Sequence, residues 1–313
     1  MARVRTWYNH SRPARATLIW LISALLFIFF FKTICQLRFY SPSAGTMELN
    51  SERRSKLYDK MGRDLDEHGA AFLKHGETSQ SLSLSDLFDF KDGIVRPKLK
   101  PADPPVRANV LYLSKEYSMP ISIAVKSTFL PYFDKVVWFQ NSSFYHFSMF
   151  HASHHLTPVP ATEEEIVSEM NAVQAVAEEI CSLRIILDRV VLTSTGVLLG
   201  CWQVVSGTDP VTIRGKLRSA LPRAPEKQLY DVAMLHTSFA RLLGPPTNFH
   251  MELNQTSDQL HFFHKLVRHL NDQIRGMEAV VSELWYVEEL DVLALALEGR
   301  MKIHKFQLGC RHT

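Results

Sequence analysis

Two short H-x-S sequences, beginning at His146 and His236, are the clearest candidates for chemistry in this chain. On a β-strand, residues i and i+2 point to the same face, so each sequence puts an imidazole beside a hydroxyl. Opening a phosphodiester needs a base that activates water and an acid that protonates the leaving oxygen, and histidine serves either role near neutral pH. We therefore interpret His146 and His236 as an acid–base pair, with Ser148 and Ser238 as donors to the phosphate oxygens.

The elements around the two motifs repeat in the same order. Each motif lies in an apolar, strand-like stretch, at 144–150 and 230–239, and is followed by a loop, a long helix and two strands. The helix after the first motif begins with a capping box at Thr162. The helices and strands that follow the motifs are predicted at 162–180, 183–192, 197–205, 257–274, 279–288 and 293–306. This pattern predicts an α+β fold in which antiparallel sheets with outer helices form two similar, facing lobes.

The two motifs resemble those that define the two-histidine (2H) phosphoesterase superfamily, H-Φ-[S/T]-Φ with Φ apolar. The motif at His146 continues Phe-Ser-Met and fits completely, whereas the motif at His236 has Thr237 at the first apolar position. The strings YHFSMFHASHH (145–155) and LHTSFARLL (235–243) are similar to plant membrane-anchored proteins labelled RNA ligase/cyclic nucleotide phosphodiesterase family proteins. The resemblance covers about residue 107 to the C-terminus.

The resemblance implies a fold of two pseudo-twofold-related lobes and a set of site residues. Enzymes of the superfamily act on 2′,3′-cyclic phosphates, on ADP-ribose cyclic phosphate or on RNA ends. Carried over to this chain, the substrate is a cyclic phosphate or related phosphodiester, such as that of a nucleotide or RNA end, and no metal or other cofactor is required. The positions that match are His146, Ser148, His236 and Ser238. The sequence does not say which histidine is the base.

His151 and Arg241 are secondary candidates. His151 lies with His154 and His155 where the strand leaves the cleft. These histidines either contact the substrate or form a solvated polar rim, and the sequence allows both interpretations. Arg241 could neutralise a second phosphate, but it is out of phase with His236 if the strand continues, which favours a surface arginine. A zinc site in the histidine cluster would lack acidic or cysteine partners at suitable spacing.

An uncharged apolar run near the N-terminus predicts a membrane anchor. A spanning helix at 16–36 follows a basic tail at 1–15, so the positive-inside rule leaves the tail in the cytosol. The chain is then a type II protein of the endoplasmic reticulum or Golgi with a lumenal body, and a cleaved signal peptide is the alternative. Two sequons in that body, at Asn141 and Asn254, are candidate N-glycosylation sites.

Residues 37–106 are polar and end in a proline-rich stretch, which indicates a stem before a catalytic domain at 107–313. The formal net charge of +3 does not indicate a broad nucleic-acid-binding surface. Three cysteines fall in the domain, Cys181, Cys201 and Cys310, and both one disulfide and three buried thiols are compatible with them.

Two other functions fit parts of the sequence. A Golgi-type glycosyltransferase would share the anchor, stem and lumenal domain, but the D-x-D at Asp64 and Asp66 falls in the stem and not beside a core strand. A non-catalytic protein of the 2H fold could bind a ligand in the secretory pathway. No protein partner is inferable from the sequence.

Overall fold

The structure is a computed structural model. It describes residues 44–74, 82–91, 94–247 and 256–310. The predicted tail and anchor, residues 1–36, and the sequon at Asn254 lie outside the described residues. In the described part of the chain, no helix combines the length and the apolar character that crossing a membrane requires. Internal contacts divide the chain into two units, Met1–Glu48 and Leu49–Thr313, and the second is the folded body.

Helices and strands alternate along the described ranges. The helices are α1 Ala44–His68, α2 Leu84–Leu87, α3 Lys115–Phe133, α4 Glu163–Glu179, α5 Pro210–Ala220, α6 Thr256–Ile274 and α7 Ala294–Leu297. The strands are β1 Phe88–Lys91, β2 Ile94–Pro97, β3 Pro101–Tyr112, β4 Val137–Phe139, β5 His146–Ser153, β6 Leu183–Leu192, β7 Val197–Ser206, β8 His236–Leu242, β9 Glu278–Val281, β10 Glu283–Asp291 and β11 Met301–Gln307. α4 starts at the predicted capping box, where the side chains of Thr162 and Glu165 bond to each other's backbone N–H groups.

Two large antiparallel sheets form most of the body, and β1 and β2 pair in a separate two-stranded sheet. The four-stranded sheet has the order β11-β10-β3-β5, and the five-stranded sheet has the order β4-β8-β7-β6-β9. We call them the His146 sheet and the His236 sheet, because β5 carries His146 and β8 carries His236. One face of each sheet packs with helices α3 to α6 around a large apolar core that includes Phe129, Phe147 and Trp202. The mixed fold with antiparallel sheets and outer helices agrees with the prediction.

The strand pairs are exchanged between the two sheets. β6 and β7 follow the first motif in sequence, but β7 pairs with β8 and both strands belong to the His236 sheet. β10 and β11 follow the second motif and complete the His146 sheet beside β3. Each sheet therefore takes its motif strand from one half of the sequence and a hairpin from the other half. The order of elements repeats along the chain as predicted. Each half of the sequence contributes strands to both sheets, however, so the halves do not fold into two separate lobes.

Three predicted strands differ from the observed elements for local reasons. The stretch 279–288 breaks at Ser282, because β9 pairs with β6 and β10 pairs with β3 in the other sheet. The stretch 293–306 begins with the short helix α7 before β11 starts. The stretch 230–239 is turn up to residue 235, and β8 begins at His236 itself.

The folded body begins well before the predicted boundary at residue 107. In α1, the fully buried Arg54 forms an ion pair with Asp209, with 2.8 Å between Nη1 and Oδ2. The Tyr58 hydroxyl lies 2.9 Å from the carbonyl oxygen of Leu235, next to the second motif. The described residues between 49 and 106 therefore belong to the compact unit and are not an extended stem. The hydrophobic pattern missed α1 because its buried face contains polar side chains whose partners are remote in sequence.

A disulfide joins Cys181, just after α4, to Cys310, just after β11. The two cysteines are 129 positions apart in sequence, so the bond closes the C-terminal half of the body into one loop. Cys201 is a free thiol buried in β7. Of the two arrangements that the sequence left open, the structure has the single disulfide.

Candidate active site

One cleft of about 1020 Å³ is lined by all four motif residues. His146 and Ser148 come from β5, His236 and Ser238 come from β8, and these two strands pack against each other. The middle residue of each H-x-S sequence points to the opposite face of its strand, as strand alternation requires. Thr237, the middle residue of the second sequence, is fully buried. The two H-x-S sequences thus place two imidazoles and two hydroxyls on one surface.

A β-bulge in each motif strand adds a third side chain to the same cleft. The pairing of β5 with β3 shifts at Met149, and the pairing of β8 with β7 shifts at Phe239. A bulge inserts one extra residue into its strand. Residues beyond the bulge therefore point to the opposite face from the one that uninterrupted alternation would give. His151 and Arg241 consequently line the cleft with the motif residues. The interpretation of Arg241 as a surface arginine was wrong, because it assumed an uninterrupted strand.

His146 is oriented by the turn that precedes its strand. The 3-10 turn Ser142–Phe144 is capped by Asn141, whose Oδ1 accepts a hydrogen bond from the Ser143 N–H at 2.9 Å. The Phe144 carbonyl oxygen then lies 2.7 Å from His146 Nδ1. Because a carbonyl only accepts, Nδ1 carries the proton and neutral His146 keeps its lone pair on Nε2. The sequon residue Asn141 thus acts as a cap beside the site.

His236 lies in a drier and more positive environment than His146. Burial, helped by the nearby Arg214 and His146, lowers its pKa to about 3. Its ring contacts Tyr230 edge to face, with 4.9 Å between the ring centroids. Burial also lowers the pKa of His146, although its bond to the Phe144 carbonyl opposes this. Both imidazoles are therefore neutral at pH 7 in the free protein.

Arg214 of α5 connects the first motif strand to the segment that leads into the second, and the sequence did not reveal it. Its buried guanidinium donates hydrogen bonds of 2.7 to 2.9 Å to carbonyl oxygens in β5 and in the segment before β8, those of Ser148, Met149, Val232 and Met234. The fixed charge explains why Arg214 contributes to the low pKa of His236. The available signal was its position beside Ile213 and Leu217, on the side of α5 that faces the core.

Arg241 has an unused hydrogen-bond donor in the cleft. Burial lowers the pKa of its guanidinium to about 10, and its Nη1 is buried with no hydrogen-bond partner among the described residues. Buried donors are nearly always paired in folded proteins, so an orphan donor calls for a functional explanation. A phosphate oxygen is a strong acceptor for a guanidinium.

The remaining histidines of the cluster have different surroundings. Burial lowers the pKa of His151 to about 3, and the neighbouring histidines act in the same direction. His154 is part of the structure around the cleft, since its Nδ1 accepts the Thr157 N–H and its Nε2 lies 3.1 Å from the Lys227 carbonyl. Neither histidine is the solvated rim that the sequence allowed, because both are buried. In the described ranges, no three His, Cys, Asp or Glu side chains are placed to hold a metal ion.

The D-x-D sequence does not form a metal–nucleotide site. Asp64 Oδ2 accepts the Ser194 N–H at 2.7 Å, whereas Asp66 Oδ1 lies 2.6 Å from His264 Nε2. The two carboxylates point in different directions from α1, as residues i and i+2 of a helix do. This arrangement does not favour the glycosyltransferase alternative.

No family model and no curated protein matches this sequence. Solved structures with a similar course of the chain include TT0787 of Thermus thermophilus, at 13% identity, a TM-score of 0.44, and coverage of 66% of this chain and 100% of that one. Escherichia coli LigT in complex with NADP+ follows at 12% identity, a TM-score of 0.38, and coverage of 68% and 99%. A structure described as a phosphoesterase has 12% identity, a TM-score of 0.37, and coverage of 66% and 99%.

Similarity at these scores says nothing of the activity of this chain.

Proposed function

We propose that this protein is a phosphoesterase that hydrolyses a cyclic phosphate, such as a 2′,3′-cyclic nucleotide or an RNA end, by two-histidine acid–base catalysis without a metal. One observation carries the proposal: His146, Ser148, His236 and Ser238 converge from two packed strands on a single cleft. The orphan donor of Arg241 in the same cleft supports an anionic substrate.

The surroundings of the two imidazoles support different roles for them. A general acid must be protonated before it acts, and the Phe144 carbonyl stabilises a protonated His146 through Nδ1. A general base must be neutral, and burial together with the positive charge of Arg214 keeps His236 neutral. Binding a phosphate anion raises the pKa of a nearby imidazole, because an opposite charge favours the protonated form. We therefore assign His146 as the acid and His236 as the base.

The reaction then balances without a covalent intermediate. Water attacks phosphorus and forms a new P–O bond, while its proton passes to the ring of His236. The P–O bond to the leaving ribose oxygen breaks, and that oxygen takes a proton from His146 Nε2. The hydroxyls of Ser148 and Ser238 and the guanidinium of Arg241 stabilise the charge on the non-bridging oxygens. The product is a phosphomonoester, and a proton exchange between the two imidazoles and water restores the starting state.

An assay with matched histidine variants tests this function. The full-length chain is incubated in excess EDTA with 2′,3′-cyclic nucleotides, and product is followed by phosphorus NMR. We expect turnover that His236→Ala lowers by about 10²- to 10⁴-fold, the usual contribution of a general base. His264→Ala is the control, since that exposed histidine pairs with Asp66 outside the motifs. Equal activity of His236→Ala and wild type would contradict the proposal, as would turnover lost on chelation. A folded wild type that is inactive on every substrate would favour a binding role.

We also propose that the folded body lies in the lumen of the endoplasmic reticulum or Golgi, held by the anchor predicted at 16–36. The Cys181–Cys310 disulfide supports an oxidising compartment. Protease protection in sealed microsomes tests this orientation. Protection of the C-terminus agrees with a lumenal body, and digestion in intact vesicles would contradict it.

A further inference from the structure

Glu289 is a buried carboxyl on the wall of the cleft with no role in the reaction described above. It lies on β10, is only 6% exposed, and lines the same cleft as the two catalytic histidines. Its Oε1 accepts the N–H of Leu295 at 2.7 Å. Burial raises its pKa to about 7 although that hydrogen bond acts in the opposite direction. The carboxyl is therefore costly to keep in place, and such groups concentrate at binding sites.

The surroundings of Glu289 in the cleft are apolar. The cleft-facing residues of β3 and of the turn around α7, which form this wall, are Val106, Ala108, Val110, Leu293, Leu295 and Ala296. The neighbouring Glu288 points to the opposite face, where its carboxylate pairs with Lys302 and His304 at 3.8 and 3.5 Å. An apolar wall next to one buried hydrogen-bond acceptor is suited to a heteroaromatic ring that carries an exocyclic amino group.

The sheet register gives the separation between this carboxyl and the phosphate-binding residues. Ser148 pairs with Val110, and Val110 pairs with Trp285 on β10, four residues before Glu289. Two strand spacings and four residues along a strand correspond to roughly 16 Å between the Cα atoms of Ser148 and Glu289. A nucleotide can be held by its phosphate at one end and by its base at the other. Its length, together with the protein side chains and hydrogen bonds at both ends, spans this distance.

We propose that Glu289 reads the base of a nucleotide substrate by accepting a hydrogen bond from an exocyclic amino group. This inference rests on the proposed function, because it places the phosphate between His146 and His236. Guanine, adenine and cytosine carry such an amino group. Uracil offers only a ring N–H between two carbonyl oxygens, which repel a carboxylate, so the cleft discriminates against uridine substrates. The substrate class is thereby narrowed to cyclic phosphates on amino-bearing nucleosides.

Glu289 also has a structural contact, and the choice of variant separates the two roles. Glu289→Gln retains a side-chain oxygen that accepts the Leu295 N–H, so the turn at α7 keeps its hydrogen bond. The same variant replaces the second acceptor oxygen by an amide donor, which opposes the amino group of a base. Glu288→Gln is the matched control, because it removes the adjacent charge on the other face of β10.

The test compares kcat/KM for the 2′,3′-cyclic phosphates of guanosine, adenosine, cytidine and uridine in the full-length chain. Wild type should prefer the three amino-bearing substrates. Glu289→Gln should lower kcat/KM for those three by about 10- to 100-fold, the effect of losing a hydrogen bond to a charged group, and change that for uridine by less than about 3-fold. Glu288→Gln should leave the preference intact. An equal loss on all four substrates, or no change, would overturn the inference.

A binding measurement separates failure of this inference from failure of the proposed function. Calorimetric titration of guanosine and uridine 3′-monophosphates into wild type and Glu289→Gln requires no turnover. Base discrimination that Glu289→Gln abolishes, in a protein without turnover, supports base recognition and refutes the catalytic proposal. Turnover in a wild type that treats guanosine and uridine alike supports catalysis and refutes base recognition by Glu289.

Discussion

Arg214→Met should both destabilise the protein and change its pH–rate profile. The variant removes the donor from four carbonyl oxygens that belong to β5 and to the segment before β8. A buried polar group left without a partner costs about 1–3 kcal/mol. Part of this loss of stability is recovered, because a guanidinium no longer has to be buried and the segment before β8 can relax. We therefore expect the free energy of unfolding to fall by about 3–5 kcal/mol, as when a buried charged partner is removed.

The same substitution should raise the pKa of His236. Burial is the main cause of the low pKa of this imidazole, and the charge of Arg214 is the next one. A general base acts only in its neutral form, so the acidic limb of kcat/KM lies at the pKa of the free base. Removing the guanidinium should move this limb to higher pH. A purely structural loss would lower the rate without moving the limb.

Arg218→Met provides the control from the next turn of α5. The Arg218 guanidinium also donates to backbone carbonyls, those of Ala224, Pro225 and Glu226, but these lie outside the motif strands. Urea denaturation and pH–rate profiles are measured for both variants. Arg218→Met should lose about 1–3 kcal/mol of stability and keep the acidic limb. An acidic limb that stays in place in Arg214→Met, or that moves equally in both variants, would refute this effect of Arg214 on His236.

Three other perturbations test separate parts of the account. Arg241→Met should lower kcat/KM by about 10- to 100-fold while urea denaturation shows no loss of stability, because the buried Nη1 has no partner among the described residues; lost stability with unchanged kcat/KM would contradict this. The folded pKa values of His151 and His236, about 3, lie below the unfolded value of about 6.5, so the unfolded chain binds more protons as the pH falls. The free energy of unfolding should therefore drop by roughly 1.4 kcal/mol per pH unit for each histidine between about pH 6 and pH 4. His151→Gln should flatten this pH dependence in urea denaturation. A variant whose stability falls with pH as steeply as that of wild type would contradict a buried, neutral His151. Cys181→Ser should lower the free energy of unfolding by about 2–5 kcal/mol, since the bond closes a loop of 129 positions, and reductant should destabilise wild type but not the variant.

The elements that local patterns determine were predictable from the sequence. α4 starts at the capping box of Thr162, because the box satisfies backbone N–H groups within the segment itself. The strands predicted at 183–192 and 197–205 match β6 and β7, because a tight turn joins two apolar runs that pair with each other. The four motif residues were predictable because strand alternation alone places the imidazole and hydroxyl of each motif side by side.

The remaining features depend on partners that are distant in sequence. The exchange of hairpins between the two sheets follows from the packing of the whole body, and the pattern along the chain contains no sign of it. Arg241 enters the cleft because of the bulge at Phe239, and bulges have no reliable sequence signature. Arg54 and Arg214 look like surface residues of polar helices until their partners, Asp209 for one and backbone carbonyls for the other, are known.

The most direct test of two-histidine catalysis is the rate of the double variant. The value of kcat/KM for a 2′,3′-cyclic nucleotide is measured in EDTA for wild type, His146→Ala, His236→Ala and the variant with both substitutions. Residues that act as one acid–base unit show strongly non-additive losses. We predict that each single substitution lowers kcat/KM by about 10²- to 10⁴-fold and that the second one adds little. A double variant whose loss equals the product of two small, independent losses would contradict an acid–base pair at this site.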